Sequence, residues 1–276
     1  MSDLVEKKVT CPFLGSAVAA GELPVRNHLG NPLALIQDVI ELGNKGGGDL
    51  GKVLGFFAGG NHGLMRGPAS NKLETAVPED HFSLDLPGSQ GSHPGHSGIL
   101  QGDPKQLDSG RFSPEDFKRL MDLSSGAFIQ RSAIARFIAE NISRDPESQS
   151  FPLGTWAREA VDIFTRDETE RIQSLARIAG SNNLLGSAGE FGLLLAFLHN
   201  SDNTRLDKDP VFSTDEIAGM FRDKRLPDGW ERWEKTAKDW LHHTFALAKG
   251  AFAELARMGL MKAVPGKLLE LADRFL

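Results

Sequence analysis

The sequence predicts an all-α fold: a single large helical domain of about ten helices with one long irregular insertion. Two observations carry this. Apolar residues recur at helical spacing through most of the chain, and helix start and stop signals bracket those stretches. No run of residues alternates as a half-buried strand does, and no tandem repeat is present.

The first ten residues, MSDLVEKKVT, are polar and read as a leader without a signal-peptide core, which points to the cytoplasm. A short helix is expected near 14–20, with a turn at Gly21. Pro32 is placed to start the next helix, 33–43, and Gly43 to stop it. After the loop NKGGGD, residues 49–59 read as a further helix weakened by Gly55. Residues 59–111 carry five prolines and many glycines and form the irregular insertion. Ser113 then opens SPEDF, with Ser as N-cap, Pro first in the helix and acids in the first turn. Residues 126–141 carry an apolar stripe through Phe128, Ile129, Ile134, Phe137 and Ile138. One or two helices are expected over 156–180. The stretch from Leu184 to Leu198 is nearly all apolar and reads as a buried helix. Thr214 caps a short helix, and 230–249, 251–262 and 265–275 are helical, with Gly250, Gly259 and Pro265 as boundaries. We divide the chain into a body, 1–233, and a C-terminal helical extension, 234–276. Core packing, pairing of two copies and membrane-surface binding all remain open for that extension.

Charge and composition narrow the function. The 276 residues carry 31 Lys and Arg against 37 Asp and Glu, a net charge of -6, so no general nucleic-acid field exists. The single cysteine excludes an internal disulfide. No apolar run approaches the roughly 20 residues that span a bilayer. Sequences of the forms GxxxxGK[ST], HExxH, GxSxG and CxxCH are absent.

Two residues attract chemical interest. Cys11, in TCPF, reads by type alone as a small buried apolar residue or an incidental thiol. A thiolate there is also a strong haem-iron ligand, and nearby backbone N–H groups would tune it. Glu190, in LLGSAGEFGLLLAFL, has little polar company. It is either the third helical residue of a capping box begun by Ser187, or a buried carboxyl suited to proton transfer.

The segment CPFLGSAVAAGELPVRN resembles the opening of the fungal-type haem-thiolate peroxidases, the chloroperoxidase and unspecific peroxygenase family. Cys11, Pro12, Gly21, Leu23, Pro24 and Arg26 follow its pattern, with Thr10 in place of a first proline. Gly189 and Glu190 resemble the family's distal Gly-Glu pair. MFRDKRLPDGW resembles its Glu-Arg-Leu-Pro to Gly-Trp phrase, with Lys224 where the glutamate usually stands. The resemblance spans about residues 10–233.

It implies haem b with the Cys11 thiolate as the iron ligand, Pro12 beside it, and Glu190 as the distal acid–base residue. Phe191 and Leu194 would line a substrate channel. His96 and Ser97, in SHPGHSG, would align with a His and a Ser near a haem propionate. Gly95 replaces the carboxylate expected there, so a magnesium or manganese ion is not carried over. The implied activity is oxidation or oxygenation of small apolar or aromatic substrates by hydrogen peroxide or an organic hydroperoxide. A hydroperoxide isomerase or dehydratase would use the same pair. A helical haem-binding or interaction module without catalysis is the competing class. His93 and His96 as a separate metal site would need further ligands from the loop.

Overall fold

A computed structural model describes residues 9, 11–28, 31–55, 80–84, 100–101, 111–144, 167, 183–198 and 211–260. Helices dominate these residues and supply most of the apolar core.

The first helix, α1, spans Pro12–Ala19 and starts where the sequence places a proline at the first helical position. It ends in a turn at Gly21, whose φ of 73° only glycine adopts freely. Residues expected to open the next helix instead form a strand. β1 (Arg26–His28), β2 (Asn31–Leu35) and β3 (His81–Ser83) make a small antiparallel sheet with β2 in the middle. Pro32 therefore lies inside β2, opposite Asn27, and the helix α2 begins only at Ile36 and runs Ile36–Asn44. Local signals favoured a helix start at Pro32. The pairing of Leu33 with Ser83 and of Leu35 with His81 overrides them, and that partner lies far along the chain.

Residues 51–55 are helical and cross α2 closely. A side chain at Gly43 would place its Cβ 2.7 Å from the Cα of Gly51, so glycine permits the contact. The pair β4 (Leu100–Gln101) and β5 (Arg111–Phe112) precedes α3 (Pro114–Asp122). Ser113 caps α3 as its sequence states, accepting from the Asp116 amide at 3.3 Å.

The amphipathic stretch 126–141 divides in two. Phe128–Gln130 form β6, paired with β7 (Val211–Ser213), and α4 spans Arg131–Arg144. The apolar stripe reads on through the strand because Ile129 is buried beside it, while Phe128 is half exposed. These strands are two to five residues long, too short to show alternation in the sequence.

Three more helices follow. α5 spans Asn183–Leu198, α6 spans Thr214–Phe221, and α7 spans Ala237–Arg257 after a 3-10 turn at Trp230–Arg232. Of these, α5 and α7 form the centre with α4. α7 lies against both α5 and α4 and buries Trp240, Leu247, Ala251 and Phe252. Gly250 does not end it. A Cβ there would come within 2.7 Å of that of Ala135, so the glycine lets α4 and α7 touch. At Gly192 the same holds between α5 and α7, where Thr244 Oγ1 would lie 2.5 Å from a Cβ. Expected helices at 156–180 and 265–275 lie outside the described residues. No described helix is long and apolar enough to cross a membrane.

Candidate functional site

Cys11 is the N-cap of α1, with Pro12 next, and it is buried. The amides of Leu14 and Phe13 face the sulfur and favour negative charge on it. Burial acts the other way and dominates, pushing the thiol up to about 11. Ser16 holds the helix in place, donating to the Pro12 carbonyl at 2.8 Å and the Met220 carbonyl of α6 at 3.3 Å.

Glu190 sits inside α5, two turns from its start, and is half-buried between buried neighbours Gly189 and Phe191. Ser187 also lies within the helix, so the capping-box reading does not hold: α5 begins a turn earlier, at Asn183. The backbone at this point is pinned from α7, where Trp240 Nε1 donates to the Gly189 carbonyl at 3.0 Å. The Glu190 carboxylate reaches Cys11 electrically and raises its thiol pKa. Two residues far apart in the sequence thus influence one place.

The third segment arrives there too. Phe13 stacks on Phe197 of α5 with centroids 3.6 Å apart, and meets Trp230 edge-on at 5.7 Å. Lys224 approaches α1 from the same segment as Trp230 and lowers the Cys11 pKa. α1, the C-terminal part of α5 and the segment that carries Lys224 and Trp230 therefore pack together.

No family model, curated protein or solved structure matches the chain. The site is thus read from its own chemistry.

Phe191 is fully buried and faces Phe137 edge-on at 6.1 Å, and Leu194 is buried on the same helix. His93, His96 and Ser97 lie outside the described residues, as does Gly95. Among the described residues no group of three or more His, Cys, Asp or Glu is arranged to hold an ion. A haem iron takes four ligands from its porphyrin, so a single protein thiolate suffices as donor. The donor chemistry fits such a group: a buried sulfur, amide dipoles behind it, and a carboxyl on another element.

Sequence reasoning put its weight on His96 and passed lightly over His81. In the structure His81 is buried at the start of β3, and its Nδ1 lies 2.7 Å from Asp80 Oδ1. The imidazole draws the Asp80 carboxyl below its usual range. The adjacent Asp-His pair was the available signal. Sequence reasoning also missed Lys235. Its side chain is fully buried and donates to three carbonyls: Trp230 at 2.5 Å, Trp233 at 2.8 Å and Lys45 at 3.0 Å.

Proposed function

We propose that the chain is a haem-thiolate oxidoreductase with a peroxidase-like helical fold. Its oxidant is hydrogen peroxide or an organic hydroperoxide, and its substrates are small apolar or aromatic molecules. One observation carries the reading: the helix that Cys11 caps stacks through Phe13 on Phe197 of α5, the helix that carries Glu190. The resemblance of their segments to the haem-thiolate family adds to it.

Bound haem supplies the iron centre at which a peroxide O–O bond is cleaved. Cys11 holds the iron through its thiolate. Burial keeps the proton on the free thiol, and Cys11 would have to give it up to hold the iron. The Phe13 and Leu14 amides support that negative sulfur. Glu190, on α5, would be the residue that holds and moves a proton for a peroxide bound there. Trp240 holds the Gly189 carbonyl and so keeps the Glu190 backbone in register. Phe191 and Leu194 are buried on the same helix, and in this reading they would line the apolar substrate channel.

Glu190→Gln tests the proton-transfer role. With haem content unchanged, its reaction with hydrogen peroxide should slow by about 10²-fold or more. A variant that keeps the full rate would remove Glu190 from the chemistry.

A further inference from the structure

Two ammonium groups converge on the ring of Trp230. Lys235 Nζ lies 5.0 Å from the ring centroid and Lys45 Nζ lies 5.5 Å from it. Both are within the range at which a cation is attracted by an aromatic face. Lys235 is fully buried, and its hydrogen bonds go to three carbonyls rather than to a carboxylate. Burial lowers its pKa to about 8, so it keeps its charge at pH 7. Glu22 pairs with Lys45, and Glu231 acts on Lys235, so each offsets part of this charge. Trp233, three residues on, has no cation over its ring among the described residues.

The ring of Trp230 lies against the candidate site. It is buried and meets Phe13 edge-on at 5.7 Å, and Phe13 belongs to the helix that Cys11 caps. The chain has four tryptophans and no tyrosine, so its readily oxidised aromatic side chains are indoles. An indole that gives up one electron becomes a radical cation, and its Nε1 proton then leaves to water. Positive charge therefore grows on the ring as the electron departs. Ammonium groups 5.0 and 5.5 Å away oppose that growth by like-charge repulsion, and more so where water is excluded.

We propose that Lys45 and Lys235 shield Trp230 from one-electron oxidation. The shielding follows from the ring and its two cations. Its use rests on the haem-thiolate reading: with a peroxide as oxidant, electrons are then drawn from the small apolar substrate and not from the indole packed on α1. Both lysines are positioning residues, since they act through Trp230.

The test uses the full chain at pH 7 with Lys45→Gln, Lys45→Arg and Lys235→Gln. Without haem, the oxidant is the neutral azide radical, made by pulse radiolysis in the presence of oxygen. It takes one electron from an indole and becomes azide. Peptide mass spectrometry then reads oxygenated Trp230 against oxygenated Trp233. Lys45→Gln should raise the Trp230 yield relative to Trp233 by about threefold or more, and Lys45→Arg should restore the parent ratio. Lys235→Gln should act in the same direction as Lys45→Gln. The Lys45 side chain is partly exposed, so its variants decide the matter even where Lys235→Gln fails to fold. Equal ratios in the parent chain and Lys45→Gln, both folded by circular dichroism, would overturn the shielding. In haem-loaded chain given hydrogen peroxide, Lys45→Gln should accumulate more oxygenated Trp230 per equivalent of peroxide than the parent. Equal accumulation would overturn the protective use. If no haem loads, the haem-thiolate reading fails, while the azide-radical ratios still decide the shielding.

Discussion

At Cys11 four influences compete, and burial outweighs the rest. Burial raises the thiol pKa, the Leu14 and Phe13 amides and Lys224 lower it, and Glu190 raises it again. Burial wins, at about 11 against an ordinary 9.0. The haem-free protein therefore holds a neutral thiol at physiological pH. The sign of the linked stability follows. A group whose pKa is raised by folding contributes fully below its unfolded value and loses that contribution as pH rises through the folded one. Cys11 should thus stabilise the haem-free fold below pH 9 and cease to do so by pH 11. Urea midpoints across this range should drop more in the parent chain than in Cys11→Ala. The thiolate absorbance is free of tyrosinate background, because the chain has no tyrosine. Its midpoint should fall near 11; a midpoint at 9.0 would mean the thiol is not buried.

At the scale of elements, the clearest device is the clasp around Lys235. Its ammonium joins the loop after α2, through the Lys45 carbonyl, to the turn before α7, through Trp230 and Trp233. Trp230 also offers its ring, 5.0 Å from the ammonium. Close by, the Leu50 amide donates to the Lys235 carbonyl at 3.0 Å, and the Ala237 amide donates to Asp49 at 2.9 Å. Asp49 therefore helps to start α7, and Thr236 caps it by accepting from the Asp239 amide at 3.0 Å. Gly46 and Gly48 let the two backbones meet, since any Cβ there would strike the Trp233 or Lys235 carbonyl. Lys235→Met should cost about 2–4 kcal/mol in a denaturant melt, because three carbonyls lose a charged donor together. A change below about 0.5 kcal/mol would show the clasp to be incidental. Trp240→Phe removes the bond to the Gly189 carbonyl and should cost about 1–2 kcal/mol. Unchanged stability in that variant would detach α7 from the placing of Glu190.

The same scale shows what was legible in the sequence. α1, α3 and α5 carry their own signals: Pro12, the Ser113 cap and an unbroken apolar run. The strands β2 and β6 do not, because each is fixed by a partner distant in sequence. Gly250 looked like a helix end and is a helix contact, a distinction only the neighbouring helix makes. Cys11 and Glu190 were legible as unusual residues. Their coming together depended on the packing of α1, α5 and the segment that carries Trp230.

For the molecule as a whole, one aromatic cluster joins the three segments on which the functional reading depends. Phe13 stacks on Phe197 and abuts Trp230, and α7 closes over α5 at Gly189 and Gly192. Phe197→Ala should cost about 3–5 kcal/mol and loosen Cys11 from Glu190 together. A loss under about 1 kcal/mol would mean that the cluster does not hold the site. The net charge of -6 supplies no field for general nucleic-acid binding. The most direct test of the central claim is the absorption spectrum of the haem-reconstituted chain, reduced under carbon monoxide, beside Cys11→Ala. The account predicts a Soret band red-shifted to about 450 nm in the parent chain, as a thiolate-ligated iron gives, and its loss in Cys11→Ala. No haem uptake, or the same spectrum in both proteins, would contradict it.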